Sequence, residues 1–384
     1  MNEYLRSLFP IAESLVYLNH AAVSPPPVCA VEAVAEQVQD VQLNGSGNFG
    51  AWLKTKERAR RRLAEILGAR AEQVAFMRNT SDALSCVANG LQWRAGDNIV
   101  SFSGEFPSNI YPWLRLQEAH GVALRLCGER AGRVDVDELL GLIDEHTRVV
   151  AISWVQFASG YRADLERIGR AARARDALLV VDVIQGLGAL PMNVAALGID
   201  AAAGAGHKWL LAPEGVGFLY LSDRARDRLT PTLVGWVSVP DPDDYTNHAQ
   251  GWKEGALAWE SGTFANALVY GLRASLELLQ ETGVARIAAH LEDLTDYLCE
   301  CLTGRDYEVV SSRTAGEKSQ IVCVRHRNPS QWSPMALYKH LQGHGIIVSP
   351  RNGRLRIAPH LYNTQAEIDE IGRASCRERV SVLV

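Results

Sequence analysis

Between about residue 74 and residue 220, short β-branched runs alternate with helical stretches, and no other feature of the chain narrows the fold as far. QVAFM (73–77), NIVSF (98–102), VALRLC (122–127), RVVAIS (148–153), ALLVVDV (177–183) and GVGFLYL (215–221) read as strands. Helical patterns fill the spaces at TSDALSCVANGL (80–91), after Ser108 and from Asp164. Short strands separated by helices imply βαβ units, hence an α/β fold built on a large, mostly parallel sheet with helices on both faces. Ligands of such sheets sit at the carboxyl ends of the strands, so the chemistry is expected there.

After about residue 265 the pattern changes. Two long helical stretches (265–281 and 283–303) lead to short strands near 307–310, 320–325, 346–348 and 354–357, which read as a smaller α+β domain joined by the start of the chain. We therefore expect a large α/β domain over 20–262 and a small α+β domain made of 1–19 with 263–371. At 384 residues the chain is long enough for two domains sharing an interface. GRASCRERVSVLV (372–384) departs from the helical pattern begun by TQAEIDEI and reads as a non-native tail outside the fold.

Composition excludes several classes. With 47% apolar and 22% charged residues the chain can bury a large core. A formal net charge of -5 argues against a protein that tracks nucleic-acid phosphates. No apolar run is long enough to span a bilayer, and MNEYLRSLFP lacks the charged and apolar segments of a signal peptide, so a cytoplasmic protein with no membrane partner is expected. Seven cysteines, at 29, 86, 127, 299, 301, 323 and 376, are scattered without a CxxC pair. They read as reduced thiols, and no metal site is expected.

The chemistry is carried by four segments. VVDVIQG (180–186) places Asp182 at the carboxyl end of a strand, with Gln185 just beyond. A buried carboxylate there either caps the next turn or needs a cationic partner, and a protonated pyridine nitrogen would be one. AGAGHKWLLAPEGVGFLYL (203–221) holds one lysine, Lys208, in almost uncharged surroundings. Such a lysine either snorkels to the surface or, desolvated, has the depressed pKa that favours imine formation. RNTSDAL (78–84) follows a strand and opens a helix, so Thr80 and Ser81 are either ordinary caps or part of an anion site at a helix N-terminus. WESGTFANA (259–267) places Gly262 and Thr263 before another helix, with the same two readings.

Together, VDVIQG, GHKW followed by APEGVGFLY, RNTSDAL, ESGT, LRIAPHLYNT and the opening YLNHAA (17–22) resemble the class V aminotransferase family of fold-type I pyridoxal-5′-phosphate (PLP) enzymes, over about residues 15–371. That family includes cysteine desulfurases, selenocysteine lyases, kynureninase and isopenicillin N epimerase. The resemblance implies that Lys208 forms a Schiff base with PLP and moves the substrate α-proton. It also implies that Asp182 pairs with the pyridine nitrogen, Gln185 contacts the ring hydroxyl, and His207, Thr80 and Ser81 hold the phosphate. Thr263 is implied to reach the phosphate of a neighbouring subunit, which makes a homodimer with shared active sites. Arg356 is implied to fork the α-carboxylate of an amino-acid substrate.

The departures are informative too. EFPSN (105–109) stands where desulfurases place a stacking His, which makes Phe106 the candidate stacker and Pro107 the alternative. Ala205 replaces a phosphate-binding Ser, and Phe157 replaces an Asn near the ring. GIIVSPRNGRLRIAP (345–359) is short and lacks the persulfide-forming Cys that desulfurases carry before the carboxylate-binding Arg. The nearest cysteine, Cys323, falls on a strand expected to be buried, which argues against a thiol relay. Arg351 and Arg354 form a cationic rim that is either solvated or aimed at a second substrate carboxylate.

The expectation is thus a PLP enzyme acting on an α-amino acid through a quinonoid intermediate, transaminase-type in the first instance. A C–S lyase or epimerase without a catalytic cysteine is the alternative. Trp236 and Trp252 are candidates for the pocket wall, or for loop packing, and Trp236 is the substrate-binding choice. A non-catalytic protein that keeps the fold is the reading from another class, and retention of Lys208, Asp182 and Arg356 speaks against it. A nicotinamide dehydrogenase would need GxGxxG after the first strand, which QVAFMRNTSD lacks.

Overall fold

A computed structural model describes residues 3–376. The large sheet has seven strands: β1 (Val74–Met77), β2 (Asn98–Phe102), β3 (Ala123–Cys127), β4 (Thr147–Ser153), β5 (Leu178–Asp182), β6 (Ala201–Ala205) and β7 (Gly217–Leu221). Their order is β1-β7-β6-β5-β4-β2-β3, with β7 antiparallel to both of its neighbours and the other pairings parallel. Because β7 runs against β1 and β6 alike, β1, β6, β5 and β4 all end on the same edge. The central strands read as unbroken apolar runs because both faces are covered. In β4, Val150 and Ile152 join one core cluster while Val149 and Ala151 join the other, and β5 splits Leu179 and Val181 from Leu178 and Val180 in the same way.

The sequence pattern passes over β6. AAAGA has no β-branched residue, yet it is a fully buried strand. Its small side chains are what the site admits, since a Cβ on Gly204 would lie 2.6 Å from the Phe218 ring.

The main helices are α1 (Val28–Asn44), α2 (Phe49–Leu67), α3 (Thr80–Gly90), α4 (Tyr111–His120), α5 (Leu165–Ala174), α6 (Asn266–Thr282), α7 (Val284–Thr303), α8 (Pro334–Gly343) and α9 (Gln365–Cys376). α1 and α2 are not signalled by the sequence pattern, and both pack against α6. α9 runs past residue 371, where the helical pattern was expected to stop, and Ala374 is buried with its carbonyl 3.0 Å from His340 Nε2. The remainder of the expected tail, 377–384, lies outside the described residues.

The second sheet contains β8 (Tyr307–Val309), β9 (Val322–His326), β10 (Ser349–Arg351) and β11 (Arg354–Ile357), in the antiparallel order β8-β9-β11-β10. Ile346–Ile347, expected to belong with these strands, pairs instead in parallel with Val16–Tyr17, so the start of the chain is tied to this region. β10 and β11 meet at Asn352 (φ 45) and Gly353 (φ 71), both left-handed, as a two-residue type I′ hairpin demands. Among the described residues no helix is long and apolar enough to cross a membrane.

Candidate active site

The carboxyl-terminal edge of the large sheet opens into a cavity of about 290 Å³. Thr80, Ser81, Phe106, Asp182, Gln185, His207, Lys208 and Arg356 all line it, although they come from distant parts of the sequence. Sheet topology brings them together. Thr80 opens α3 directly after β1, Asp182 ends β5, and β6 runs out into Gly206, His207 and Lys208.

Asp182 and Lys208 are nearly inaccessible, at 2% and 8% exposure. Burial pushes the Asp182 carboxyl up, nearby Glu105 adds to the effect, and the Ile184 amide (2.9 Å to Oδ1) and Lys208 oppose it. Burial likewise pushes the Lys208 amine down, helped by the Arg356 and Arg351 charges and opposed by Asp182. A desolvated amine of low pKa is the nucleophile that an aldehyde needs. Gln185 is held at both ends, Nε2 donating to the Ala21 carbonyl at 3.0 Å and Oε1 accepting from Trp209 Nε1 at 2.9 Å. Burial, then the Lys208 charge, pushes the His207 pKa down, and Glu214 opposes them.

At the other end of the cavity the side chain of Asn79 accepts the Asp82 amide at 2.9 Å and so caps α3. The first-turn amides of Thr80 and Ser81 have no intrahelical acceptor. Thr80 Oγ1 is buried without a hydrogen-bond partner, and Ser81 Oγ lies 2.7 Å from Ser108 Oγ. An orphaned hydroxyl beside free amides at a helix N-terminus is a cup for an anion.

Phe106, not Pro107, faces the cavity. Its ring centroid is 5.5 Å from Lys208 Nζ, and it meets the Phe157 ring edge-on at 5.2 Å.

Arg356 reaches the site from the small sheet. Strand alternation and the register Ser349↔Arg356, Arg351↔Arg354 and Cys323↔Arg356 put these five side chains on one face. Leu355 and Ile357 point the other way, into a separate apolar cluster with Val322 and Val324. Arg356 is 1% exposed, with Nη1 donating to the Phe157 carbonyl at 3.0 Å and Nη2 to Ser349 Oγ at 3.4 Å. Its Nε is buried without a partner, so the guanidinium keeps donor capacity for a carboxylate. Cys323 lies fully buried on the same face, and burial pushes its thiol up to about 11, which makes it a poor nucleophile.

Two expected residues are placed elsewhere. Thr263 is exposed and does not line the cavity. Trp236, 41% exposed, lines a separate surface cup with Tyr245 and Trp252. Arg354 is not a free rim charge but is buried and ion-paired with Glu129.

Several residues at or beside the cavity were not singled out by the sequence. Ser108 and Ala21 contact the site only through folding. Glu105, the first residue of EFPSN, is buried, and it accepts from the Ser153 amide (2.7 Å) and hydroxyl, from Gln156 Nε2 (2.7 Å) and from Asn109 Nδ2 (3.2 Å). The one local signal for it was an acidic residue just before the candidate stacker.

This set of groups fits PLP, because each part of the cofactor meets a matching need of the protein. The phosphate answers the orphaned Thr80 hydroxyl and the free amides of α3, the cationic ring nitrogen answers buried Asp182, and the aldehyde answers Lys208.

The family model for Aminotransferase class-V matches residues 16–375. A probable cysteine desulfurase of Methanothermobacter thermautotrophicus is 32% identical over 96% of each chain. Among solved structures, the apo cysteine desulfurase of Thermococcus onnurineus superimposes with a TM-score of 0.87 at 25% identity, covering 98% of each chain. A C-DES variant with glycine covalently linked to its PLP cofactor gives 0.90 at 23% identity, over 97% of this chain and 99% of the other, a likeness of fold. The chain is a PLP-dependent enzyme of fold type I, and it belongs to the class-V aminotransferase family.

Proposed function

We propose that this protein is a C–S lyase that acts on a sulfur-bearing α-amino acid and expels the sulfur group without a cysteine relay. The observation that carries the reading is the convergence of Lys208, Asp182 and Arg356 on one cavity beside a hairpin too short to hold a reactive thiol. Similarity to proteins named cysteine desulfurases favours C–S bond cleavage over transamination, which the sequence motifs alone left in front.

Bound PLP supplies an electron sink for charge that develops at the substrate Cα. The chain's own groups do the rest. Arg356 takes the α-carboxylate, and so fixes which Cα bond faces Lys208. Lys208 Nζ, depressed by burial, accepts the Cα proton. The Cα–H electron pair becomes a Cα=Cβ double bond as the Cβ–S bond breaks with its pair leaving on sulfur, and water then displaces nitrogen from Cα to give pyruvate and ammonia. Asp182 would keep the ring nitrogen of bound PLP protonated, and Gln185 would face its ring hydroxyl. When the cofactor is bound, Thr80, Ser81 and His207 would hold the phosphate, and the Phe106 ring, 5.5 Å from Lys208 Nζ, would pack against the pyridine ring. Thr263, exposed and away from its own cavity, completes the phosphate site of a second subunit, so the working unit is a homodimer.

The test is product analysis of holoenzyme with L-cysteine and L-cystine. A lyase yields pyruvate and ammonia, with sulfide from L-cysteine and cysteine persulfide from L-cystine, and turnover survives replacement of each cysteine by Ala. Alanine with sulfur left on a protein thiol would mean a desulfurase, and keto acid formed only with an amino-group acceptor would mean a transaminase. Mixing Lys208→Ala with Thr263→Ala subunits tests the shared site, since heterodimers should contain one site damaged twice and one intact.

A further inference from the structure

Three guanidiniums share the inner face of the small sheet, and they differ in what neutralises them. Arg354 is buried, ion-paired with Glu129, and donates to the Ala158 carbonyl at 3.1 Å. Arg356 is buried and reserved for the α-carboxylate. Arg351 lines the cavity half-buried, and among the described residues its hydrogen bonding amounts to Nη1 donating to the carbonyl of its own neighbour Pro350 at 2.7 Å. No carboxylate among the described residues pairs with it. Its position is not a matter of loop wandering. The left-handed pair Asn352–Gly353 closes the hairpin tightly, and the register with Arg354 fixes Arg351 on the face that Arg356 shares.

Counting charge in the cavity makes the case. The lining cations are Lys208, Arg351 and Arg356, and the lining acid is Asp182. Asp182 is matched to the ring nitrogen, Arg356 to the α-carboxylate, and the phosphate to Thr80, Ser81 and the start of α3. Arg351 is left over. Its field works against Lys208 and Arg356, lowering the pKa of both, so without a counter-ion it is an electrostatic cost inside a partly desolvated site.

We infer that Arg351 binds a second anionic group on the substrate, so that this cavity selects α-amino acids whose side chain ends in a carboxylate or comparable acid group. The inference rests on the lyase reading only in placing that acid on the sulfur substituent; recognition of two anions stands on geometry and charge.

The experiment is calorimetric titration of the holoenzyme with unreactive probes of equal length, glutarate and pentanoate. Wild type should bind glutarate about 10- to 100-fold more tightly, the worth of a hydrogen-bonded charge pair. Arg351→Gln should bring glutarate down to the pentanoate level and leave pentanoate unchanged. Arg351→Lys, which keeps the charge but not the fork, should retain part of the preference. Equal affinities in wild type overturn the inference without any variant. So does an Arg351→Gln protein that loses pentanoate and glutarate alike, because Arg351 would then share the α-carboxylate. In turnover, S-carboxymethyl-L-cysteine should be preferred over S-ethyl-L-cysteine, and Arg351→Gln should abolish that preference. A glutarate preference without sulfur release from either compound would remove the lyase reading and leave the two-anion site standing.

Discussion

His360 Nε2 lies 3.2 Å from the carbonyl oxygen of Trp209, the residue after Lys208. His360 Nδ1 accepts the Leu361 amide at 2.7 Å, so the ring carries its proton on Nε2 and donates it to Trp209. The segment that follows Arg356 is thereby fastened to the segment that bears Lys208. His20 is held in the same neutral state, accepting from the Tyr362 hydroxyl (3.0 Å) while giving its Nδ1 proton to the Ala358 carbonyl (2.8 Å).

This fastening predicts acid sensitivity. Burial pushes His360 down to about 4, well below the unfolded value near 6.5. The unfolded chain therefore binds a proton through a pH window in which the folded chain refuses it. The stability is present above about pH 6.5 and is lost as pH falls towards 4, by up to about 3 kcal/mol for this group. His20 acts in the same direction, and Glu105, raised by burial, acts in the opposite one. The quantity to measure is thus the difference between wild type and His360→Gln in urea unfolding at pH 7 and pH 4.5. The variant should be less stable at pH 7 yet decline less steeply; equal slopes would remove the assignment.

Thr80→Val should separate cofactor binding from folding. Thr80 Oγ1 is buried without a partner, so its removal should leave the apo-protein as stable as wild type or slightly more so. PLP affinity should fall about 10-fold, the loss of one hydrogen bond to a charged phosphate. An unchanged PLP Kd by equilibrium titration would place the phosphate elsewhere.

Asp182→Asn should keep PLP bound and lose turnover roughly 100-fold or more, the scale of a missing preorganised charge in a dry site. The neutral amide cannot hold the ring nitrogen protonated. Visible absorbance reports cofactor retention, and steady-state kinetics report the loss. A rate within a few-fold of wild type would reduce Asp182 to a cap for the Ile184 amide.

Glu105→Gln should cost about 2–4 kcal/mol, because an amide NH₂ would confront donors from Ser153, Gln156 and Asn109 that now meet a carboxylate. Denaturant melts check this, and a neutral result would mean that the carboxyl is already protonated and sharing those bonds.

The parts of the site legible in the sequence were those whose signals are local. A strand ending in Asp182, a lysine in apolar surroundings and a hydroxyl pair opening a helix each announce themselves within a few residues. Glu105 does not, because its donors at Ser153 and Gln156 belong to another strand and the loop after it. Trp236 was proposed on residue type alone, and nothing near it in the chain indicates which cup it would line. In the fold, β6 was hidden because burial against Phe218 selects alanine and glycine, residues that mark no strand. α1 and α2 carry no motif of their own, and it is their packing against the distant α6 that defines them. Arg351 and Arg354 look equivalent in SPRNGR, and only the distant Glu129 separates the paired one from the free one.

The alternation in β10 and β11 sets a condition on assembly itself. Sliding β11 by one residue would drive its two guanidiniums into the apolar face of the second sheet and turn Leu355 and Ile357 out towards the cavity. Such a chain could neither seal its core nor grip a carboxylate. Misregistered molecules are therefore silent rather than promiscuous, and the ability to hold substrate doubles as proof that the last sheet has closed correctly.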